Sequence, residues 1–267
     1  MKTKTCFKLF GCLLIILLLA ACAPAAAEEE PAPRWFDHGH HLVAHSMGAL
    51  DGYLGSNSLE AFLQNYALGH RIFEVDFQIS ADGELVTIHE SRMPVPRTLD
   101  ELNADVHYTI LTFREVLALL QEHEDAFIIT DTKYFYDFDL IRETFDLMRD
   151  AIQEVDPALA DRIIIQFYNQ AMYHFMKTYY DFPNYVYTLY LSGDTNEEVI
   201  AFAEAHGIEV VVMWTHRAEA EFVEALREVG AIVFAHTTND LEYARAVLDR
   251  GVFGIFTNLL IYEDLPR

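Results

Sequence analysis

The chain has 267 residues, about half of them apolar and 13% aromatic, which is enough to build one sizeable hydrophobic core. Its formal charge of −24 repels phosphate backbones and anionic lipid headgroups, so nucleic acid is excluded as a natural partner, and a phosphate-bearing substrate would need a cation to draw it in. All three cysteines (Cys6, Cys12 and Cys22) lie close to the N-terminus, which leaves the rest of the chain without a disulfide, a cysteine metal site or a thiol nucleophile.

Lys2, Lys4 and Lys8 precede a short apolar run from Gly11 to Ala21. This is the layout of a secretory signal, too short for a comfortable membrane span. The run ends in Leu19-Ala20-Ala21-Cys22, which resembles the bacterial lipobox, whose cysteine is lipidated and becomes the new N-terminus. A plain secreted signal is the lesser reading. The expectation is a lipoprotein signal peptide over 1–21, a lipidated Cys22 opening an Ala/Pro/Glu-rich disordered tether over 22–36, and a single domain over 37–267. Such a protein is exported and anchored to the outer face of a bacterial membrane. Loss of 1–21 takes away three lysines and moves the formal charge to −27.

Past the tether, Leu42-Val43-Ala44 forms a short strand that leads to His45. Ser58 to Gly69 places Leu59, Phe62, Leu63 and Tyr66 on one helical face, with Asn57 or Ser58 as the cap and Gly69 as the stop. Arg71–Ile79 is a strand, Asp82-Gly83 a tight turn, and Glu84–His89 the returning strand of a hairpin. After a long proline-bearing loop, Thr112 and Glu115 make a capping box for a helix ending at His123. Further strands follow at 127–132, 163–168, 185–191, 208–214, 232–236 and 252–257, with helical stretches including 139–154, 197–206, 218–229 and 240–250. Strand and helix in alternation mean a parallel sheet. Setting aside the return strand leaves eight strands, the number that closes a (β/α)8 TIM barrel, here with a β-hairpin extension after the second strand. An open doubly wound sheet is the lesser alternative.

Within that frame, Glu74 and Asp76 share one face of the second strand by its two-residue period. The hairpin returns His89 opposite residue 75 or 76. His45 ends the neighbouring strand, and Asp131 and Lys133 end the strand after the hairpin. An isolated Glu-x-Asp is more often solvated or salt-bridged, and a lone histidine is more often a hydrogen-bonded core residue. The joint placement at one barrel rim is what favours chemistry. Carboxylates packed together repel unless a cation sits between them, and an oxygen-rich cluster selects one hard divalent ion, Ca²⁺ or Mg²⁺. Lys133 adds a positive charge for an anion, and two histidines can serve as general acid and base. The cluster His38, His40 and His41 reads as chain entry to the barrel rather than as a metal site.

In order, Val43-Ala44-His45-Ser46-Met47-Gly48, Asn57-Ser58-Leu59-Glu60-Ala61-Phe62, Phe73-Glu74-Val75-Asp76, Asp82-Gly83, Val86-Thr87-Ile88-His89-Glu90, Asp131-Thr132-Lys133, His236-Thr237-Thr238-Asn239 and Gly251-Val252-Phe253-Gly254-Ile255-Phe256-Thr257-Asn258 resemble the motifs of the glycerophosphodiester phosphodiesterases. The resemblance implies a TIM barrel of the phospholipase C-like phosphodiesterase superfamily and a divalent ion on Glu74, Asp76 and Asp131. It also implies His45 and His89 as the acid–base pair, and Lys133 on the substrate phosphate. There are three departures. Ser46 stands where the family has arginine, with Arg92 or Arg97 as substitutes; Asp131 stands where it has glutamate; and His236 stands where it has tryptophan. The expected function is metal-dependent hydrolysis of a small-molecule or lipid-derived phosphodiester, foremost a glycerophosphodiester. The alternatives are cleavage through a cyclic phosphate, as in phosphatidylinositol-specific phospholipase C, and a non-catalytic lipoprotein that binds glycerol-phosphate polymers.

Overall fold

A computed structural model describes residues 34–37, 39–89, 94–134 and 136–265. The chain divides into units 1–32 and 33–267, and every described residue lies in the second. The signal peptide, Cys22 and the tether up to residue 33 lie outside the described residues.

Among the described residues there are nine strands: β1 (Leu42–Ala44), β2 (Ile72–Ile79), β3 (Leu85–Thr87), β4 (Phe127–Asp131), β5 (Ile163–Phe167), β6 (Asn184–Thr188), β7 (Val210–Trp214), β8 (Ile232–His236) and β9 (Gly254–Thr257). The helices are α1 (Leu59–Ala67), α2 (Leu99–Ala104), α3 (Phe113–Glu122), α4 (Phe138–Val155), α5 (Gln170–Tyr179), α6 (Asn196–His206), α7 (Ala220–Glu228) and α8 (Leu241–Leu248). Eight strands pair in parallel in the order β1-β9-β8-β7-β6-β5-β4-β2, and β1 pairs with β2 to close the ring. The chain therefore folds as a (β/α)8 TIM barrel. β3 pairs antiparallel with β2 through Phe77 and Thr87, which is the hairpin extension.

The two-residue alternation sorts side chains into two cores. Phe73, Val75 and Phe77 of β2 face outward into the layer shared with the helices. Ile72 of the same strand joins Val43, Ile129, Ile164, Val186 and Phe234 in a separate cluster inside the barrel. That inner cluster also contains Trp35 and Phe36. Trp35 stacks on Phe234 with ring centroids 5.6 Å apart, and Arg34 pairs with Asp37 and Glu209. The domain thus starts earlier than expected. Residues 34–36, assigned to the tether from composition, pack onto the barrel because burying Trp35 and Phe36 there takes two aromatic side chains out of water.

Two helices lie outside the ranges named from the sequence. α5 carries Tyr, Phe, His and Thr, residues whose preferences do not favour a helix strongly, and it is started by Asn169, whose side chain accepts from Met172 N–H. α2 interrupts the long loop and opens on a Thr98/Glu101 capping box. Among the described residues, no helix is long and apolar enough to cross a membrane.

Candidate active site

The apolar filling of the barrel gives way to polar side chains at the carboxyl ends of the strands. In the parallel register Asp76 of β2 lies beside Asp131 of β4, and Glu74 shares their face one pleat lower. Glu74, Asp76 and Asp131 are 2%, 1% and 4% exposed, and one carboxylate oxygen from each lies within 4.8 Å of the others. Lys133 sits against them, with Nζ 3.0 Å from Asp76 Oδ1 and ion-paired with Asp131 Oδ2.

Donors from several loops hold the carboxylates in place. The Ser46 N–H donates to Glu74 Oε2 at 2.8 Å, and Ser46 Oγ donates to Asp76 Oδ2 at 3.2 Å. Asn57 donates from Nδ2 to Asp76 Oδ2 at 2.8 Å and accepts the Asp76 N–H at Oδ1. The Tyr168 hydroxyl donates to Asp131 Oδ1 at 2.5 Å, and the Tyr190 hydroxyl to Asp131 Oδ2 at 2.9 Å. Among the described residues, five that are not glycine have φ in the left-handed region, Ser46, Met47, Asp51, Asn57 and Lys133, and three of them touch the carboxylates. Strain of this kind persists only where surrounding contacts enforce it. Behind Ser46, Gly48 (φ +86°) lies so close to Asn65 that a Cβ would fall 2.4 Å from its Nδ2. That nitrogen donates to the carbonyls of Met47 and Ala49 and fixes the loop.

The charges do not balance. Burial, with Asp76 and Asp131 alongside, pushes the Glu74 carboxyl well above the usual carboxylate range. Burial acts in the same direction on Asp131, but Lys133 and the two tyrosine hydroxyls outweigh it and hold Asp131 low. Burial disfavours the Lys133 ammonium as well, yet Asp131, Asp76 and Glu74 keep it firmly charged. Three buried carboxylates against one ammonium leave excess negative charge, which one divalent cation would neutralise. The all-oxygen donor set fits a hard ion.

His45 opens the turn after β1. Its Nδ1 lies 3.0 Å from Asn258 Oδ1, and its Nε2 lies 3.9 Å from Glu74 Oε2. The Asn258 amide is oriented by Asn239, whose Oδ1 accepts from Asn258 N–H and faces its Nδ2. A carbonyl oxygen only accepts, so the His45 proton resides on Nδ1 and Nε2 is the nitrogen left to exchange one. Beside this group a cavity of about 20 Å³ descends into the barrel, room for about one water molecule. Its lining includes His45, Glu74, Asp131, Tyr190 and His236. Burial pushes the pKa of His236 down to about 3, reinforced by His45, and keeps the ring neutral.

The structure brings Glu74, Asp76, Asp131, Lys133 and His45 together. His89 lies just past β3, where the Ile88 N–H donates to the Asp76 carbonyl at 3.0 Å, so the return strand runs beside the carboxylates. Its side chain is exposed and outside the cavity lining. Of the two arginines considered as substitutes at Ser46, Arg97 pairs with Asp105 at 2.9 Å and Arg92 lies outside the described residues. Sequence reasoning missed the roles of Asn57, Asn258, Tyr168 and Tyr190. Of the two expected caps of α1, Ser58 takes the role, which leaves the Asn57 side chain to serve Asp76. The tyrosines follow strand ends at the inward-facing position, a periodicity signal that could have found them.

Fold and site together define a parallel barrel with an acidic, lysine-bearing mouth whose buried carboxylates could hold a cation. The pattern of the glycerophosphoryl diester phosphodiesterase family matches residues 97–260, and the chain belongs to that family. It is a phosphoric diester hydrolase. The match includes Asp131, Lys133 and His236, and begins after His45, Glu74, Asp76 and His89. No curated protein matches the chain. Among solved structures it is similar to a glycerophosphodiester phosphodiesterase from Thermotoga maritima, with 21% identity over 81% of this chain and 93% of that one and a TM-score of 0.64. A second, from Parabacteroides distasonis, has 18% identity over 84% and 94% of the two chains, with a TM-score of 0.66. A phosphodiesterase from Oleispira antarctica, solved with the product sn-glycerol-3-phosphate, has 15% identity over 82% and 92%, with a TM-score of 0.63.

Proposed function

We propose that the protein hydrolyses a glycerophosphodiester by metal-assisted acid–base catalysis with His45 and His89. The observation that carries this reading is the trio of buried carboxylates on adjacent strands with Lys133 between them and the Nε2 of His45 3.9 Å from Glu74. Glu74, Asp76 and Asp131 would hold one Ca²⁺ or Mg²⁺, which when bound neutralises charge on the phosphoryl oxygens. Lys133 contributes a fixed positive charge on the same wall and attracts the phosphate through an otherwise acidic surface. One histidine takes the proton of the attacking hydroxyl as its oxygen bonds to phosphorus. The other gives a proton to the alcohol oxygen as its bond to phosphorus breaks. His45 does its part at Nε2, because Asn258 occupies Nδ1.

The test is a panel of glycerophosphocholine, glycerophosphoinositol and teichoic-acid fragments, assayed with Ca²⁺, with Mg²⁺ and with chelator. The expected result is release of the alcohol from a glycerophosphodiester with sn-glycerol 3-phosphate as co-product, abolished by chelator. A cyclic phosphate as the end product would transfer the protein to the phospholipase C type of reaction, and no turnover of any member would refute the reading.

We also propose that the protein is an exported lipoprotein, on the strength of the basic start, the short apolar run and Leu19-Ala20-Ala21-Cys22. Labelled palmitate should enter the wild-type protein and not Cys22→Ala. Equal labelling of both would remove the anchor.

A further inference from the structure

The cavity beneath the carboxylates has a second wall, of a different character. His236, at the end of β8, is 7% exposed and lines the cavity, and its Nε2 is buried without a hydrogen-bond partner. A buried polar atom left unpaired is costly, of the order of 1–3 kcal/mol, and such atoms are rare in native proteins. The ring is held by other rings rather than by hydrogen bonds to its nitrogens. Trp214 stacks on it at 4.2 Å between centroids, while Tyr190 and Phe256 meet it edge-on at 5.3 and 6.1 Å. Its orientation is therefore fixed while Nε2 stays available.

The rest of this wall is uncharged. Gln166 and Thr188 lie in the same lining, joined by a hydrogen bond from the threonine hydroxyl to the amide oxygen, and Val212 and Phe256 supply apolar surface. A neutral imidazole in such surroundings has no charge to offer a phosphate. Its Nε2 can make one directional hydrogen bond, as donor or acceptor according to the tautomer, and a hydroxyl satisfies either.

We propose that His236 is a specificity-determining residue whose Nε2 hydrogen-bonds a hydroxyl on the glycerol arm of the substrate, so that the phosphodiester is selected by its polyol as well as by its phosphate. This deepens the function proposed above and rests on it. A site with an unpaired polar atom discriminates strongly between a ligand that satisfies it and an analogue that does not. A wall that reads a hydroxyl through His236 adds a requirement that the carboxylate cluster and Lys133 cannot impose.

The test compares glycerophosphocholine with analogues lacking one or the other free glycerol hydroxyl, for wild type and His236→Phe, which keeps an aromatic ring for Trp214 to stack on. In wild type, kcat/KM should favour the complete substrate over one of the analogues by tenfold or more, and in His236→Phe that ratio should fall to about two or less. A ratio unchanged by the substitution overturns the assignment and leaves the phosphodiesterase reading standing. Turnover of neither compound by wild type removes both. Should His236→Phe fail to fold, the wild-type ring nitrogens answer the question. On ¹⁵N-histidine-labelled protein, the His236 Nε2 resonance should move when sn-glycerol 3-phosphate is added and stay in place with inorganic phosphate. Identical responses to the two ligands would overturn the assignment.

Discussion

Replacing His45 with alanine should lower kcat on a glycerophosphodiester by about 10²–10⁴-fold, the usual worth of a positioned acid–base group, with little change in the thermal unfolding midpoint. The side chain is 36% exposed and closes no part of the core, so its loss leaves no sizeable cavity. What disappears is a nitrogen whose tautomer is set by Asn258 at 3.0 Å and whose exchanging atom faces the carboxylates. His89→Ala should cost activity on the same scale and likewise leave the midpoint unmoved, since His89 is exposed. Loss of one proton carrier should also remove one limb of the pH–rate profile, an outcome that loosened packing would not produce. Circular dichroism and a melt on each variant separate lost chemistry from lost fold. Retention of full, metal-dependent turnover by His89→Ala would dismiss it as a catalytic group, and the same result with His45→Ala would dismiss the exchange at Nε2.

The parts of this site that could be read from sequence are those governed by strand periodicity. In Phe73-Glu74-Val75-Asp76-Phe77 the period of two separates the residues that face the helices from the two acids that face the barrel interior, and the structure places them so. Asp131 and Lys133 follow from the same rule one strand along. The supporting groups are harder to read because their partners come from distant segments. Asn258 holds His45 from 213 positions away, and Tyr168 and Tyr190 hold Asp131 from two later strands. From sequence, Ser46 is only a departure from the arginine of the family it resembles. In the structure it supplies two hydrogen bonds to Glu74 and Asp76, available only because its backbone is left-handed, and φ is not legible in a serine. Trp35 and Phe36 escaped for the opposite reason. Composition over an Ala/Pro/Glu-rich stretch averages out two aromatics that the open end of the barrel then buries.

A chelated sample titrated with Ca²⁺ or Mg²⁺ should gain stability and release about one proton per ion at a pH between the ordinary glutamate value and the raised value of Glu74. The sign follows from burial and the two neighbouring acids, which push the Glu74 carboxyl up. Without an ion the folded state holds a proton there that the unfolded chain gives up. That contribution to stability is present below the ordinary glutamate value and is lost as pH rises through the folded one. An ion reverses the trend, because it binds the deprotonated form and its affinity climbs over the same interval. At a free concentration about a hundredfold above its dissociation constant the ion stabilises by about 2.7 kcal/mol, or roughly 5–10 °C in midpoint for a domain of this size. Glu74→Gln imitates the protonated carboxyl, and its amide oxygen can still accept the Ser46 N–H. This variant should therefore melt above wild type at pH 8 in chelator, gain little on adding the ion, and release no proton in calorimetry across buffers of different ionisation enthalpy. If wild type and Glu74→Gln respond alike to the ion, the carboxylate cluster is not where it binds, and the buried excess charge has to be balanced by protons alone.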